Sequence, residues 1–182
     1  RIPDATRETV PQEFVESFDD VLRSNNGRVS GPTSITINSP EMAKRRGVLT
    51  NYLRYETKFG RKYLELAIIT TARLMDCPYV WNAHAPAARK EGISDSVIEA
   101  LRENKPLPDM EPAEAAIVSY ATEFYTTHRV TEETFNSALE LFGTQYLVEI
   151  TSLMGHYAQT AFILNAFEVP VSEDSTEPRL ST

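Results

Sequence analysis

The sequence is poor in the residues that redox, metal and nucleotide chemistry depend on. Cys77 is its only cysteine, so no disulfide can form within the chain and a two-cysteine redox cycle is excluded. Its three histidines, His84, His128 and His156, are scattered. No H-x-x-x-H or paired-carboxylate helix pattern accompanies them, so no metal site is expected. No glycine-rich phosphate loop is present either, and no cofactor is expected. Basic residues are outnumbered 18 to 26 by acidic ones, for a net charge of -8, and they form no cluster that would hold a phosphate backbone. Nucleic acid is therefore not an expected partner. Long hydrophobic runs are also missing. The most apolar stretches, 64–75 and 154–167, are interrupted by Arg73, His156 and Gln159 and are too short to span a bilayer, so no membrane association is expected. With a lone thiol and no signal-peptide pattern, a cytoplasmic protein is expected.

What is present is a succession of capped helical periods. Phe14, Val15, Phe18, Val21 and Leu22 recur at helical spacing before the stop at Asn25-Asn26-Gly27. Residues 28–38 are β-branched and polar, and without a second strand to pair with they read as an extended connector. Ser39-Pro40-Glu41 opens a helix running to about Glu56. Residues 62–75 are almost continuously apolar, as in a helix buried on most sides. After the break at Asp76-Cys77-Pro78 a helix should run to Glu91 and stop at Gly92. Ser94, Pro112 and Thr131 open further helices, and Gly143 separates the last two. Seven or eight helices and no strand pair make an all-α fold. One domain spans residues 10–171, with a polar arm over 1–9 and a disordered tail over 172–182.

The chemistry-bearing residues gather in Glu65–Gly92, around the hairpin. Cys77 caps the second helix, where dipole and free N–H groups favour a thiolate, although lone cysteines are commonly small buried residues. His84 lies two turns further along nearly the same face, with Trp81 beside it. Glu65 heads the preceding apolar helix, and the hairpin can fold its carboxylate against the imidazole, orienting the ring and raising its basicity. His84 and Glu65 are thus the candidate catalytic pair. His156 and Tyr157, on the last long helix, are candidate pocket residues and equally readable as core. His128 reads as a helix-end dipole partner. Arg73, in a buried helix, needs a carboxylate or a route to solvent; an internal salt bridge and a bound acidic substrate are both open to it.

Glu65, Cys77, Val80 and His84 stand at the spacing of the E-x11-C-x2-C-x3-H motif of AhpD-like proteins, with valine in place of the second cysteine. The surrounding LELAIITTARLMDCPYVWNAHAPAARKEGIS resembles the carboxymuconolactone decarboxylase family, in which a helix reading ELAIL..AR precedes YEW..H...A...G. The resemblance covers about residues 30–170. It implies an AhpD-like helical bundle built on the helix–break–helix hairpin, assembled as dimers, trimers or hexamers. It also implies cofactor-independent decarboxylation of a small carboxylated lactone by proton transfer. Carried over by position, His84 is the general acid/base and Glu65 its partner, while Arg73, Tyr79 and Trp81 shape the substrate site; Cys77, His156 and Tyr157 are added as candidate substrate-site residues from the reading of the residues themselves. The peroxidase branch needs both cysteines, and with Val80 a sulfenic acid at Cys77 has no resolving partner. Val80 also replaces the acid of YEW, which points away from the standard lactone. The expected function is a lyase, decarboxylase or related isomerase. The alternatives are a single-cysteine thiol redox protein and a non-catalytic ligand-binding relative.

Overall fold

A computed structural model describes residues 2–181; Arg1 and Thr182, the ends of the expected arm and tail, lie outside the described residues. Among these residues there are helices and turns and no strand. The helices are α1 (Val15–Ser24), α2 (Pro32–Thr36), α3 (Pro40–Asn51), α4 (Arg61–Leu74), α5 (Pro78–Lys90), α6 (Asp95–Arg102), α7 (Pro112–Thr127) and α8 (Glu132–Ala166). A 3₁₀ turn, Gln12–Phe14, precedes α1, and a π-helical turn, Tyr52–Glu56, extends α3. The all-α expectation holds. Residues 28–38 differ from it, because Gly31 takes φ 55° and Pro32 starts a short helix in place of a connector. With no partner strand to satisfy its backbone, this β-branched segment bonds to itself, Ser34 Oγ donating to the Gly31 carbonyl at 2.7 Å.

The chain divides into two compact units, residues 1–57 with 162–170, and residues 58–161 with 171–182. In the first, α1 packs on α3, and Val10, Phe18, Val21, Ile37 and Ala43 form a small core. The expected arm is tied to it: the Arg7 guanidinium donates to both carboxylate oxygens of Asp19, at 3.0 and 2.8 Å.

The second unit is built on α4, which packs against α5 and α7. Every residue of α4 from Leu64 to Ala72 is buried, Glu65, Thr70 and Thr71 included, as its almost continuously apolar text requires. The turn between α4 and α5 is made by Asp76 at φ 44°, a left-handed position that a short polar side chain tolerates. Pro78 then opens α5 with Cys77 as its N-cap residue. Gly143, at φ 70° and ψ 168°, breaks α8 at the place expected from sequence. The second helical segment of α8 carries His156 and Tyr157 inward.

The tail departs from expectation. Residues 172–181 do not lie free: Leu180 is buried, and the segment is hydrogen-bonded to α4, α5 and α6. It holds one apolar anchor, and its backbone carbonyls find side-chain donors on the helices. No described helix is long and apolar enough to cross a membrane.

Candidate active site

The hairpin places Glu65 on α4 opposite His84 on α5. Glu65 has no solvent exposure and His84 retains 7%. His84 Nδ1 lies 2.7 Å from Glu65 Oε2. An ionised carboxylate only accepts, so Nδ1 carries the proton in this bond and Nε2 of the neutral ring is left with its lone pair. Tyr157, from α8, meets that nitrogen: its hydroxyl donates to Nε2 at 3.2 Å, with the two rings edge to face at 5.1 Å.

The other oxygen of Glu65 is held from its own helix. Arg61, one turn earlier, puts a guanidinium nitrogen 2.7 Å from Oε1, and its side chain is one-third exposed. A carboxylate taken wholly out of water must be paired and hydrogen-bonded. Here a cation holds one oxygen and an imidazole the other. The result is a continuous chain, Arg61–Glu65–His84–Tyr157, from a partly solvated guanidinium to a buried phenol. His156 stands beside its end, buried, with its ring 5.9 Å from that of Tyr157. The arrangement can hold the imidazole in one tautomer and move a proton through Nε2.

Glu65, His84, His156 and Tyr157 are thus brought together, and Arg61 joins them unannounced. It was legible: an arginine four residues before a glutamate on one helix is a standard ion-pair spacing. Cys77 is buried with no exposure, and burial pushes its thiol up, against weaker stabilisation by the N–H groups of Val80 and Tyr79. The N-cap position thus fails to produce a reactive thiolate, because desolvation outweighs the free N–H groups. Tyr79 is half-buried, and burial likewise pushes its phenol up.

Arg73 and Trp81 are committed elsewhere. Arg73 pairs with Asp76 and donates to the carbonyls of Arg102 and Ser181 at 3.1 and 2.8 Å. It lies eight residues beyond Glu65, about 12 Å along the helix axis. Trp81 is wholly buried, and its indole N–H donates to the Pro178 carbonyl at 3.2 Å. The family resemblance placed both in the substrate site; here they are engaged by the segment that was read as a disordered tail. His128 ends α7 in the left-handed region at φ 62°. No group of three or more described His, Cys, Asp and Glu residues is arranged to hold a metal ion.

Comparison with known proteins bears on the same hairpin. Residues 40–123 match the carboxymuconolactone decarboxylase family, so the resemblance read from residues 65–92 holds over the segment that supplies Arg61, Glu65 and His84. Solved structures share the fold. A peroxidase-related protein with an alkylhydroperoxidase AhpD core from Ralstonia eutropha JMP134 superposes with a TM-score of 0.73 at 16% identity, covering 96% of this chain and 93% of that one. An uncharacterized peroxidase-related protein from Silicibacter sp. TM1040 gives 0.72 at 16% identity over 95% and 91%. A debrominase in its apo form gives 0.68 at 13% identity over 93% and 91%. At these identities the likeness concerns the fold. No curated protein sequence matches the chain.

Proposed function

We propose that this chain, which carries the carboxymuconolactone decarboxylase signature over residues 40–123, is a lyase of that type acting on a small carboxylated lactone or aromatic-derived metabolite. The observation that carries the reading is the buried Glu65–His84–Tyr157 chain. Decarboxylation breaks the bond between the carboxylate and its carbon and leaves an electron pair delocalised toward a neighbouring carbonyl. That dienolate or enolate is quenched by a proton on carbon. His84 is the general acid/base: Nε2 takes up a proton from solvent to form the imidazolium, then gives it to the carbon as carbon dioxide leaves and returns to the neutral ring. Glu65 fixes the tautomer and stabilises the imidazolium, and Arg61 pairs with the other oxygen of Glu65. Isomerisation uses the same proton without the C–C cleavage. Thiol redox chemistry is the weaker reading, because Cys77 is buried and its thiol is pushed up.

The same reading makes the protein a homo-oligomer that works on a small molecule in the cytoplasm, without nucleic acid or membrane. The test of function is turnover of a panel of carboxylated lactones by the wild type and His84→Ala. The variant should be slower by about 10²–10⁴-fold, the worth of a positioned proton donor, with its circular dichroism retained. Equal rates in a folded variant remove His84 from the mechanism.

A further inference from the structure

The segment after Pro170 is held in a way that ordinary tail packing does not require. Four of its last five described carbonyl groups accept hydrogen bonds from side chains of the helices. Asn82 Nδ2 donates to the Glu177 carbonyl at 3.3 Å, Trp81 Nε1 to Pro178 at 3.2 Å, an Arg102 nitrogen to Arg179 at 3.2 Å and an Arg73 nitrogen to Ser181 at 2.8 Å. Ser181 returns the contact, its hydroxyl donating to the Arg102 carbonyl at 2.7 Å. Two side chains add selectivity. The Glu177 carboxylate, 7% exposed, takes an ion pair from Arg89 at 2.5 Å, and Leu180 is buried. Arg89 is held on its other side by Asp95, at 2.8 Å. Side-chain donors on main-chain carbonyls, a buried acid read by an arginine and one apolar anchor are how a groove recognises an extended peptide.

We infer that α4, α5 and α6 form a separable peptide-binding groove whose occupant is this chain's own Glu177-Pro178-Arg179-Leu180-Ser181, selected by the carboxylate on Arg89 and by the buried leucine. The groove is built by Arg73, Trp81, Asn82, Arg89 and Arg102, and it is independent of the proton-transfer reading.

The sole tryptophan reports on occupancy. A protease site inserted between Glu173 and Asp174 of the full chain is cut after folding. Trp81 emission and helical circular dichroism are then followed as a fluorescent peptide of residues 174–182 is added in excess. The proposal expects the severed segment to exchange with saturable, one-to-one binding of the peptide, and Trp81 emission to return to that of the intact protein. It also expects at least tenfold weaker binding by peptides carrying Glu177→Gln or Leu180→Ala, and by protein carrying Arg89→Ala. In the uncut chain, Leu180→Ala should shift Trp81 emission to the red while helix content is kept. Loss of helical structure on cutting, no saturable rebinding to the folded cut protein, or binding indifferent to both peptide changes would each overturn it.

Discussion

Glu65 is the residue on which the site turns, and its energetics separate its neighbours. Removing one partner of a buried ion pair leaves the other charge uncompensated, which costs about 3–5 kcal/mol. Glu65→Ala strands the guanidinium of Arg61 and the Nδ1–H of His84 together, so we expect a loss of that size in urea denaturation. Arg61 is one-third exposed and can be replaced in part by water. Yet Arg61→Ala leaves the wholly buried Glu65 carboxylate without its cation, so it should cost about 3 kcal/mol, the low end of that range because water can reach the vacated site; a loss under about 1 kcal/mol would show that the pair behaves as an exposed one. Cys77 supplies the pH-dependent case. Its folded thiol holds its proton above the ordinary value of 9.0, so as pH rises the unfolded state deprotonates first and gains stability relative to the folded one. Unfolding free energy should fall as pH is raised from about 9, and Cys77→Ala should flatten that limb. The native thiol should react with a disulfide reagent far more slowly than free cysteine. The candidate pair was legible from one spacing, because a glutamate in an apolar helix and a histidine across a Pro-marked break have few other places to go. Tyr157 was visible only as an inward-facing aromatic, since nothing in the text of α8 says which nitrogen it meets.

At the scale of elements, punctuation residues carried most of the information. Pro78, Pro112 and Gly143 mark a helix start, another start and a break where the structure has them. Gly143 combines φ 70° with ψ 168°, a region essentially closed to residues with a Cβ. A Cβ there meets nothing within 4 Å, so Gly143→Ala tests the backbone alone. We expect a loss of about 1–3 kcal/mol in denaturation with the fold retained; no loss would mean that the break is not needed to aim the second segment of α8. Two elements were not legible. Residues 28–38 looked extended because β-branched residues favour strands only where a neighbour completes the ladder, and a glycine–proline turn decided otherwise. The segment after Pro170 looked disordered because it has a single buried apolar side chain. Its attachment runs through main-chain carbonyls, which a side-chain pattern does not record.

For the molecule as a whole, the helical hairpin explains why fold and site were readable together. The helix that must be buried to close the core of its unit also carries the carboxylate, and burying it forces that carboxylate to find partners. Assembly belongs at this scale. The proposed homo-oligomer rests on the family resemblance: light scattering coupled to size exclusion should give a mass above one chain of 20.5 kDa, and a strictly monomeric protein would remove it. The central claim is that Glu65 fixes His84 with a proton on Nδ1, so that Nε2 is the nitrogen that gains and gives the catalytic proton. Nitrogen-15 histidine spectra over a pH series test it directly, since three imidazoles can be assigned by single substitutions. We expect His84 to be protonated on Nδ1 when neutral, with a strongly deshielded Nδ1 proton coupled to Glu65 and an unprotonated Nε2 that accepts from Tyr157. A neutral His84 protonated on Nε2, with Nδ1 bare, would contradict it.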